Sequence, residues 1–582
     1  MKKSILLAAV ALSGMSLVSC DHFLDENRYP MSIQTNNPAY WDNEANVQKQ
    51  CNNMYTNFTG FATGTGGLFY FQTLTDDQAS GIGGDFTTWK YTGMVNSSSL
   101  WNDPYIQIRH ANEIIEKVSA SSLMDNVKAK YIGIARLQRA QQYYWLVRTY
   151  GDVPYIDEVV NDLDINNALL QAPRTNRDEV MDHVYDDLKY AAENIGSGSK
   201  TTYSSDLAYA MMSQICLYEA SYCKYRTLEE NYYAPDEARA KKYYEYVVAA
   251  GDYLMGRGYS LNADYQANYN SVSLESNPEM IFYKEYKEAT LTHQTIQYNV
   301  LTTTIAGISK DAFDAFLFTD GKPLATTTCD TNDAGELTTG IVDGGSEVGD
   351  ILSLEKVLAV RDKRLSATID PVVCFGTTQE GMTWSRAGSS QLSSSSGYTI
   401  RKYDNTSLPL NYRTQSNYTC APVYWLAVVY LEYAEAKAEL GTLTDSDLDK
   451  TINKLYTRAG LPTQTVAGLS SMNDPANNMG VSSLLWEIRR CRRCETMMDN
   501  NLRYWDLQRW HQLELLDTSK HPNIKLGANL KNAVRKSDNM VGDYIQATPN
   551  NDRIYEARQY LGPIPTGQIS LNSHLEQNAL WK

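Results

Sequence analysis

The stretch ARLQRAQQYYWLVRTYGDVPYI, residues 135–156, decides the fold of this chain. Ile134, Leu137, Ala140, Tyr144 and Val147 recur at i, i+3, i+6, i+10 and i+13, along one face of a helix. Gly151 can take the left-handed conformation that closes a helix, and Pro154 forbids its continuation. The spacing predicts a helix that runs straight into a Gly-Asp-Val-Pro stop.

Helical patterning continues on both sides. Upstream, Asn43 to Phe58 sets Val47, Cys51, Met54 and Tyr55 on one side, and Pro104 to Val118 opens with proline in its first turn. Between them lie a Gly/Thr-rich loop, Gly60 to Gly84, and a second loop, Phe86 to Trp101, with Trp89, Tyr91 and Trp101 among polar residues. No Gly-Lys-Ser/Thr follows the glycines, so they do not form a phosphate loop. Downstream, Asn176 with Glu179 reads as a polar cap for a helix whose stripe is Val180, Val184, Leu188, Ala191 and Ile195. Further helices are expected from Asp206, with Leu207, Met211, Ile215, Tyr218 and Tyr222 inside, and over Glu237 to Met255. Short links between such helices favour stacked antiparallel pairs.

Asn262 to Asn411 reads differently, with few long helices and much Gly, Ser and Thr. Met280 to Tyr283 is an expected strand and Asp311 to Phe318 a short helix. An irregular region this long inside a folded chain is usually functional. Helix returns at Pro422 to Leu440, Asn453 to Pro462 reads Asn-x-x-x-x-Arg-Ala-Gly-Leu-Pro, and Trp486 to Trp510 follows as a further helical stretch.

The 582 residues are 43% hydrophobic with a mean hydropathy of −0.43, a folded, water-compatible composition. The net charge of −16 argues against binding nucleic acid and does not oppose neutral sugars. Tyrosine is abundant, 42 against 11 Phe and 10 Trp, and Tyr and Trp join an apolar face to a polar edge, which suits wet binding surfaces. Met1 to Ser19 reads as a secretion signal, with Lys2 and Lys3 before an apolar run, Ile5 to Val18, too short to span a membrane comfortably. Leu17-Val18-Ser19-Cys20 resembles a lipobox, which implies lipidation at Cys20 and anchoring by several acyl chains. The acidic residues Asp21, Asp25 and Glu26 next to it resemble a surface-export signal. Eight further cysteines are spread too thinly for a disulfide scaffold, and Cys491-x-x-Cys494 sits inside an expected helix without a second ligand pair.

Arg136, Arg139, Ala140, Tyr143, Leu146, Tyr150, Gly151, Val153 and Pro154 together resemble the signature of the SusD/RagB family, the surface glycan-binding lipoproteins of gut-type Gram-negative bacteria. The resemblance continues in order. It includes Trp101, Tyr105, Ile108 and Asn112, then the Ala-Glu-Ala helix at 434–436, then Arg503 to Trp510. It ends with Pro563-Ile-Pro565 and Gln577-Asn578, without the family's last proline. The chain departs from the pattern at Cys491, where a Glu is usual, and at Asn500, where a Gly is usual with one residue fewer around it. The resemblance implies a mostly-α, SusD-like fold of stacked tetratricopeptide-like helix pairs with a large irregular loop region carrying short strands. It divides the chain into a signal peptide, 1–19, and a single domain, 20–582. Within that domain the helical scaffold is 40–260 and 420–515, the irregular region 261–419 and the C-terminal segment 516–582.

No His-Glu-x-x-His, Gly-x-Ser-x-Gly or Walker loop occurs, and the seven histidines lack metal-ligand spacing, so neither a metal nor a cofactor is expected. Asp76-Asp77 is the best-looking carboxylate pair, but adjacent acids usually mark a turn, and no catalytic residue is assigned. The resemblance implies non-catalytic capture of an oligo- or polysaccharide at the outer membrane, facing the exterior, for a SusC-like TonB-dependent transporter. Such a ligand needs flat aromatic faces for its C–H patches and carboxylates, amides or Arg for its hydroxyls. The family's site maps to 76–101 and 283–384. The expected stacking residues are Trp89, Tyr91, Tyr286, Tyr298 and Trp384, with hydrogen bonds from Asp76, Asp77 and His293. A peptide- or protein-binding relative is the alternative; an aromatic platform favours sugar, and a deep cleft with paired charges favours peptide.

Overall fold

The computed structural model describes residues 35–61, 74–79, 89–160, 168–231, 233–295, 307–343, 346–375, 384–385, 391–392, 394–548 and 552–582. Among these, six helices of ten residues or more build the first half of the chain: α1 (Glu44–Asn53), α2 (Ser99–Ala120), α3 (Asp125–Tyr150), α4 (Arg177–Asn194), α5 (Ser205–Tyr225) and α6 (Glu237–Met255). Each packs on its sequence neighbour from α2 to α6, so the stacked helix pairs expected from the short links are present. α2 begins five residues before Pro104, which lies inside it. Asn176 caps α4 by accepting from Asp178 N–H, and the caps of α5 and α6 are Ser204 and Asp236.

The stretch at 135–156 forms the centre of this stack. Its apolar stripe is buried, but so are Gln138, Arg139, Gln141 and Gln142 on the other side of α3. A helix enclosed all round belongs to the interior, and its polar groups must then find partners there. Arg136 Nε and Arg139 Nε donate to the two oxygens of Asp187 on α4, at 2.7 and 2.8 Å, and Arg139 NH1 reaches Asn112 Oδ1 on α2 at 2.9 Å. Gly151 closes α3 at φ +76°, and a Cβ there would stand 3.1 Å from Leu561 Cδ1. Beyond the stop, Ile156 O accepts from Tyr143 OH and Asn112 Nδ2, while Tyr105 OH donates to Pro154 O. The spaced arginines and tyrosines thus tie together α2, α3, α4 and the chain after Pro154.

The second half adds the short α7 (Lys310–Ala315), then α8 (Leu426–Glu439), α9 (Ile452–Ala459), α10 (Ser483–Glu495) and α11 (Leu502–Arg509). Two expectations need correction here. The sequence predicts helix from Pro422, but Ala421–Trp425 is a strand pairing antiparallel with Met280–Lys284, and α8 starts at Leu426. Pro422 cannot donate within a helix, and Val-Tyr-Trp favours an extended chain once a partner strand is offered. Trp486 to Trp510 is not one helix but α10 and α11, separated by a turn in which Met498, Asn500 and Asn501 all take positive φ.

The irregular region carries a four-stranded antiparallel sheet. In chain order its strands are β2 (Glu336–Asp343), β3 (Ser346–Ser353), β4 (Ile369–Val373) and β7 (Tyr398–Ile400), after β1 (Met280–Lys284). Trp384–Ser385 and Gln391–Leu392 form the two-stranded β5–β6, and β8 is Ala421–Trp425. A later sheet of Leu526–Asn529, Met540–Val541 and Tyr544–Gln546 shares its core with this region through Ala528, Leu530 and Ile545. The last residues return to the helical stack. Asn578 Nδ2 donates to Tyr150 O at 3.1 Å and Gly562 O at 2.7 Å, and its Oδ1 accepts from Arg174 NH2 at 2.6 Å. No described helix is long and apolar enough to cross a membrane.

Candidate functional site

Both carboxylates expected to meet a ligand are engaged by arginines of the fold, although Asp76 also lines a cleft. Asp76 and Asp77 sit in a loop yet are 3% and 1% exposed. Arg503 grips Asp76 through Nε at 2.8 Å and NH2 at 2.6 Å, and Arg493 stands beside it at 3.3 Å. Arg493 Nε also donates to Asp77 Oδ1 at 2.7 Å, and its NH1 to Asp311 at 2.8 Å. Burial alone would raise the Asp76 carboxyl; Arg493 and Arg503 outweigh it and hold it well below its ordinary range. Burial raises Asp77, with the Asp76 charge adding to it. The pair is an internal knot joining this loop to α10 and α11.

Three of the other expected residues are likewise interior. Tyr91 is clamped through its backbone, with Gln559 Nε2 donating to its carbonyl at 2.9 Å, and its ring is buried. Tyr286 is buried with its hydroxyl on Phe61 O, and its ring meets His293 edge-on at 4.8 Å. His293 shares Nε2 with Thr419 O at 3.1 Å and Oγ1 at 3.2 Å, and Nδ1 accepts from Thr295 N–H. Those partners assign the neutral Nε2–H tautomer, and burial pushes the imidazole down to about 3. The ligand roles expected for Asp76, Asp77, Tyr91, Tyr286 and His293 are therefore corrected, because each has its polar atoms or ring committed inside the fold.

Trp89 is placed differently. It is half-buried, its indole N–H donates to Ile554 O at 2.7 Å, Tyr555 meets it edge-on at 6.2 Å, and Arg553 lies 5.4 Å from its ring. One edge is tethered and the residue keeps access to solvent, as a stacking platform requires. Trp384 opens β5 opposite Leu392. Tyr298 and Cys20 lie outside the described residues.

Residues that sequence patterns did not single out complete the picture. Beside the Asp76 knot is a cleft of about 520 Å³, walled by α7, the loop at 323–325, the loop at 474–479 and the Trp486–Arg493 face of α10. The run Arg489-Arg490-Cys491-Arg492-Arg493 was the available signal: four arginines on one short helix demand buried acids. Cys491 and Cys494 are buried free thiols on separate partners, with the Arg364 NH1 near one and the Ala315 carbonyl near the other. Burial pushes Cys491 up to about 12, which disfavours the nucleophilic thiolate. Asp178, Glu219 and Cys223 come together as metal ligands would, but Arg177, Arg226 and Arg239 already occupy the carboxylates.

Comparison with known proteins agrees with this architecture. A profile described as the SusD family matches residues 278–581, and one described as starch-binding associating with outer membrane matches residues 22–217. A SusD-like protein P2 of Formosa agariphila is 35% identical over 109 residues, and a SusD-like protein of Bacteroides ovatus 30% identical over 118. These segments are 19% and 20% of this chain, and span 21% of each curated relative's length. A crystal structure of a SusD-like carbohydrate binding protein from Bacteroides fragilis superposes with a TM-score of 0.68 at 20% identity, over 92% of this chain and 100% of that one. A laminarin binding SusD-like protein superposes at 0.53 and 17%, over 92% and 98%. With a family profile covering its C-terminal half and the same fold over nine-tenths of its length, the chain belongs to the SusD family.

Proposed function

We propose that this protein captures an oligo- or polysaccharide at the outer membrane without catalysing its cleavage, and passes it to a SusC-like TonB-dependent transporter. The observation that carries the reading is the N-terminal match to a family described as starch-binding and outer-membrane-associated, on a fold shared with a neighbour named for laminarin binding. Non-catalytic action is supported by the state of the best carboxylate pair, which is buried and held by arginines. The binding surface in this reading is the one bearing Trp89, with Trp384 and Tyr298 as the remaining stacking candidates. Tyr91, next but one to Trp89, is held by Gln559. Cys20 is the proposed lipid anchor.

The transporter would dock on the apolar groove at the start of α2. That groove, about 500 Å³, is lined by Trp101, Tyr105, Leu170 and Leu571, with Leu571 74% and Leu170 39% exposed. Large exposed apolar side chains grouped this way suit a protein partner.

Calorimetric titration of the purified protein against neutral and acidic glycans, with a peptide mixture alongside, tests the proposal. Saturable heat with a glycan and no new reducing ends is the expected outcome, and Trp89→Ala with Trp384→Ala should remove it. Heat with peptides alone would replace the glycan by a peptide. Unchanged glycan affinity in the double variant would move the site elsewhere.

A further inference from the structure

The cleft beside Asp76 is large enough for a small-molecule ligand, since such sites run to about 300–1,000 Å³. Four arginines and four aspartates line it. All of these charges are matched within the protein. Arg490 is paired with Asp474, Arg493 with Asp76 and Asp311, Arg503 with Asp76, Arg489 with Glu439, and Asp314 with Lys310. A carboxylate entering here would have to take an arginine from its aspartate, and an ammonium would have to take an aspartate from its cation. Either leaves a poorly hydrated charge unpaired. An uncharged ligand pays no such penalty.

The cleft's front is nonetheless polar. Asp311 and Asp314 have side chains 33% and 29% exposed, so their oxygens keep lone pairs free for O–H donors. Asn478 and Asn523 add amides. Trp486 supplies a flat apolar surface whose orientation is fixed. Its indole N–H donates to Asp474 Oδ2 at 3.1 Å, and the Arg490 guanidinium sits 5.4 Å from its ring. Hydroxyl donors along one edge and a flat C–H face are what a neutral sugar ring carries.

We propose that this cleft is a second saccharide subsite, selective for an uncharged polyhydroxy ring over uronates and over ammonium-bearing peptides. The proposal rests on the saccharide reading given above and adds a separate place and a selectivity to it. Trp486 stacks the ring, and Asp311 and Asp314 accept from its hydroxyls. The balanced charges behind them exclude charged competitors.

The test combines calorimetry with amide hydrogen exchange on the full chain, using maltohexaose, laminarihexaose, a galacturonate hexamer and trilysine. A neutral hexasaccharide should slow exchange in 474–490. Trp486→Ala should weaken binding about tenfold and remove that protection. Asp314→Asn should also weaken binding, whereas Trp89→Ala should leave the 474–490 protection in place. A saccharide that binds without protecting 474–490 overturns the subsite alone and leaves the capture reading standing. Protection by the galacturonate hexamer or trilysine and not by neutral sugars overturns the selectivity. Absence of binding by every saccharide overturns both readings.

Discussion

Replacing Asp76 by alanine separates a structural carboxylate from a ligand-binding one. The substitution leaves Arg503 without the acid that grips it through two hydrogen bonds, while Arg493 keeps Asp77 and Asp311. Removing one partner of a buried pair costs about 3–5 kcal/mol, because the remaining charge is stranded. Unfolding entropy near 2.1 cal/mol/K per residue gives roughly 1.2 kcal/mol/K for a chain of this length, so the midpoint should fall by about 2–4 °C. The cost should depend on pH. The folded-state carboxyl is held below its unfolded value of 3.8. Wild type therefore keeps the pair's contribution above that pH and loses it as the solution is acidified towards the folded value. Asp76→Ala has no such contribution to lose, so the gap between the two proteins should narrow below about pH 4. Replacing both partners, Asp76→Ala with Arg503→Met, should recover much of the loss, since the stranded charge is gone. Thermal unfolding by circular dichroism from pH 3 to 8 reads all three effects. A midpoint within 1 °C of wild type at pH 7, or a double variant no better than the single one, would refute the reasoning.

Two other substitutions probe the scaffold. Burial lifts Glu432 from 4.5 to about 7, so wild type should lose stability as pH rises through that interval. Glu432→Gln, which keeps an acceptor for Ser213, should be more stable by about 3 kcal/mol at pH 8 and no different at pH 4; an offset that does not change with pH would show that the carboxyl stays ionised. Gly151→Ala puts a side chain at positive φ against Leu561 and should cost about 1–3 kcal/mol, lowering the urea midpoint; an unchanged midpoint would show that the helix stop tolerates a Cβ.

The scaffold was legible because its signals are local. The α3 stripe, its glycine stop, the Asn176 cap and the bounds of α6 are each set by residues within a few positions of one another. The strand at Ala421–Trp425 was not legible, because its partner lies some 140 residues earlier and only pairing overrides the helical pattern that begins at Leu426. The same reason explains the acids. Asp76 and Asp77 look like a solvated turn, and their partners stand 427 and 416 residues away. The buried aromatics escaped for a related cause. Tyr91 and Tyr286 belong to loops whose other walls, Gln559 and Phe61, come from distant segments. Trp89 has the same composition around it and differs only in what covers it.

The side chain of Asn578 has a kinetic meaning. The C-terminal carbonyl of the central helix, Tyr150 O, is capped by a residue 428 positions later, which also holds Gly562 and Arg174. Until that asparagine docks, Tyr150 O lacks this cap and has only its bond from Arg174 NH2. Long-range closure of this kind comes late, after the loops between have been gathered in. Folding would therefore assemble the helical stack early and latch it last, and a chain stopped a few residues short should remain open to proteases along α3.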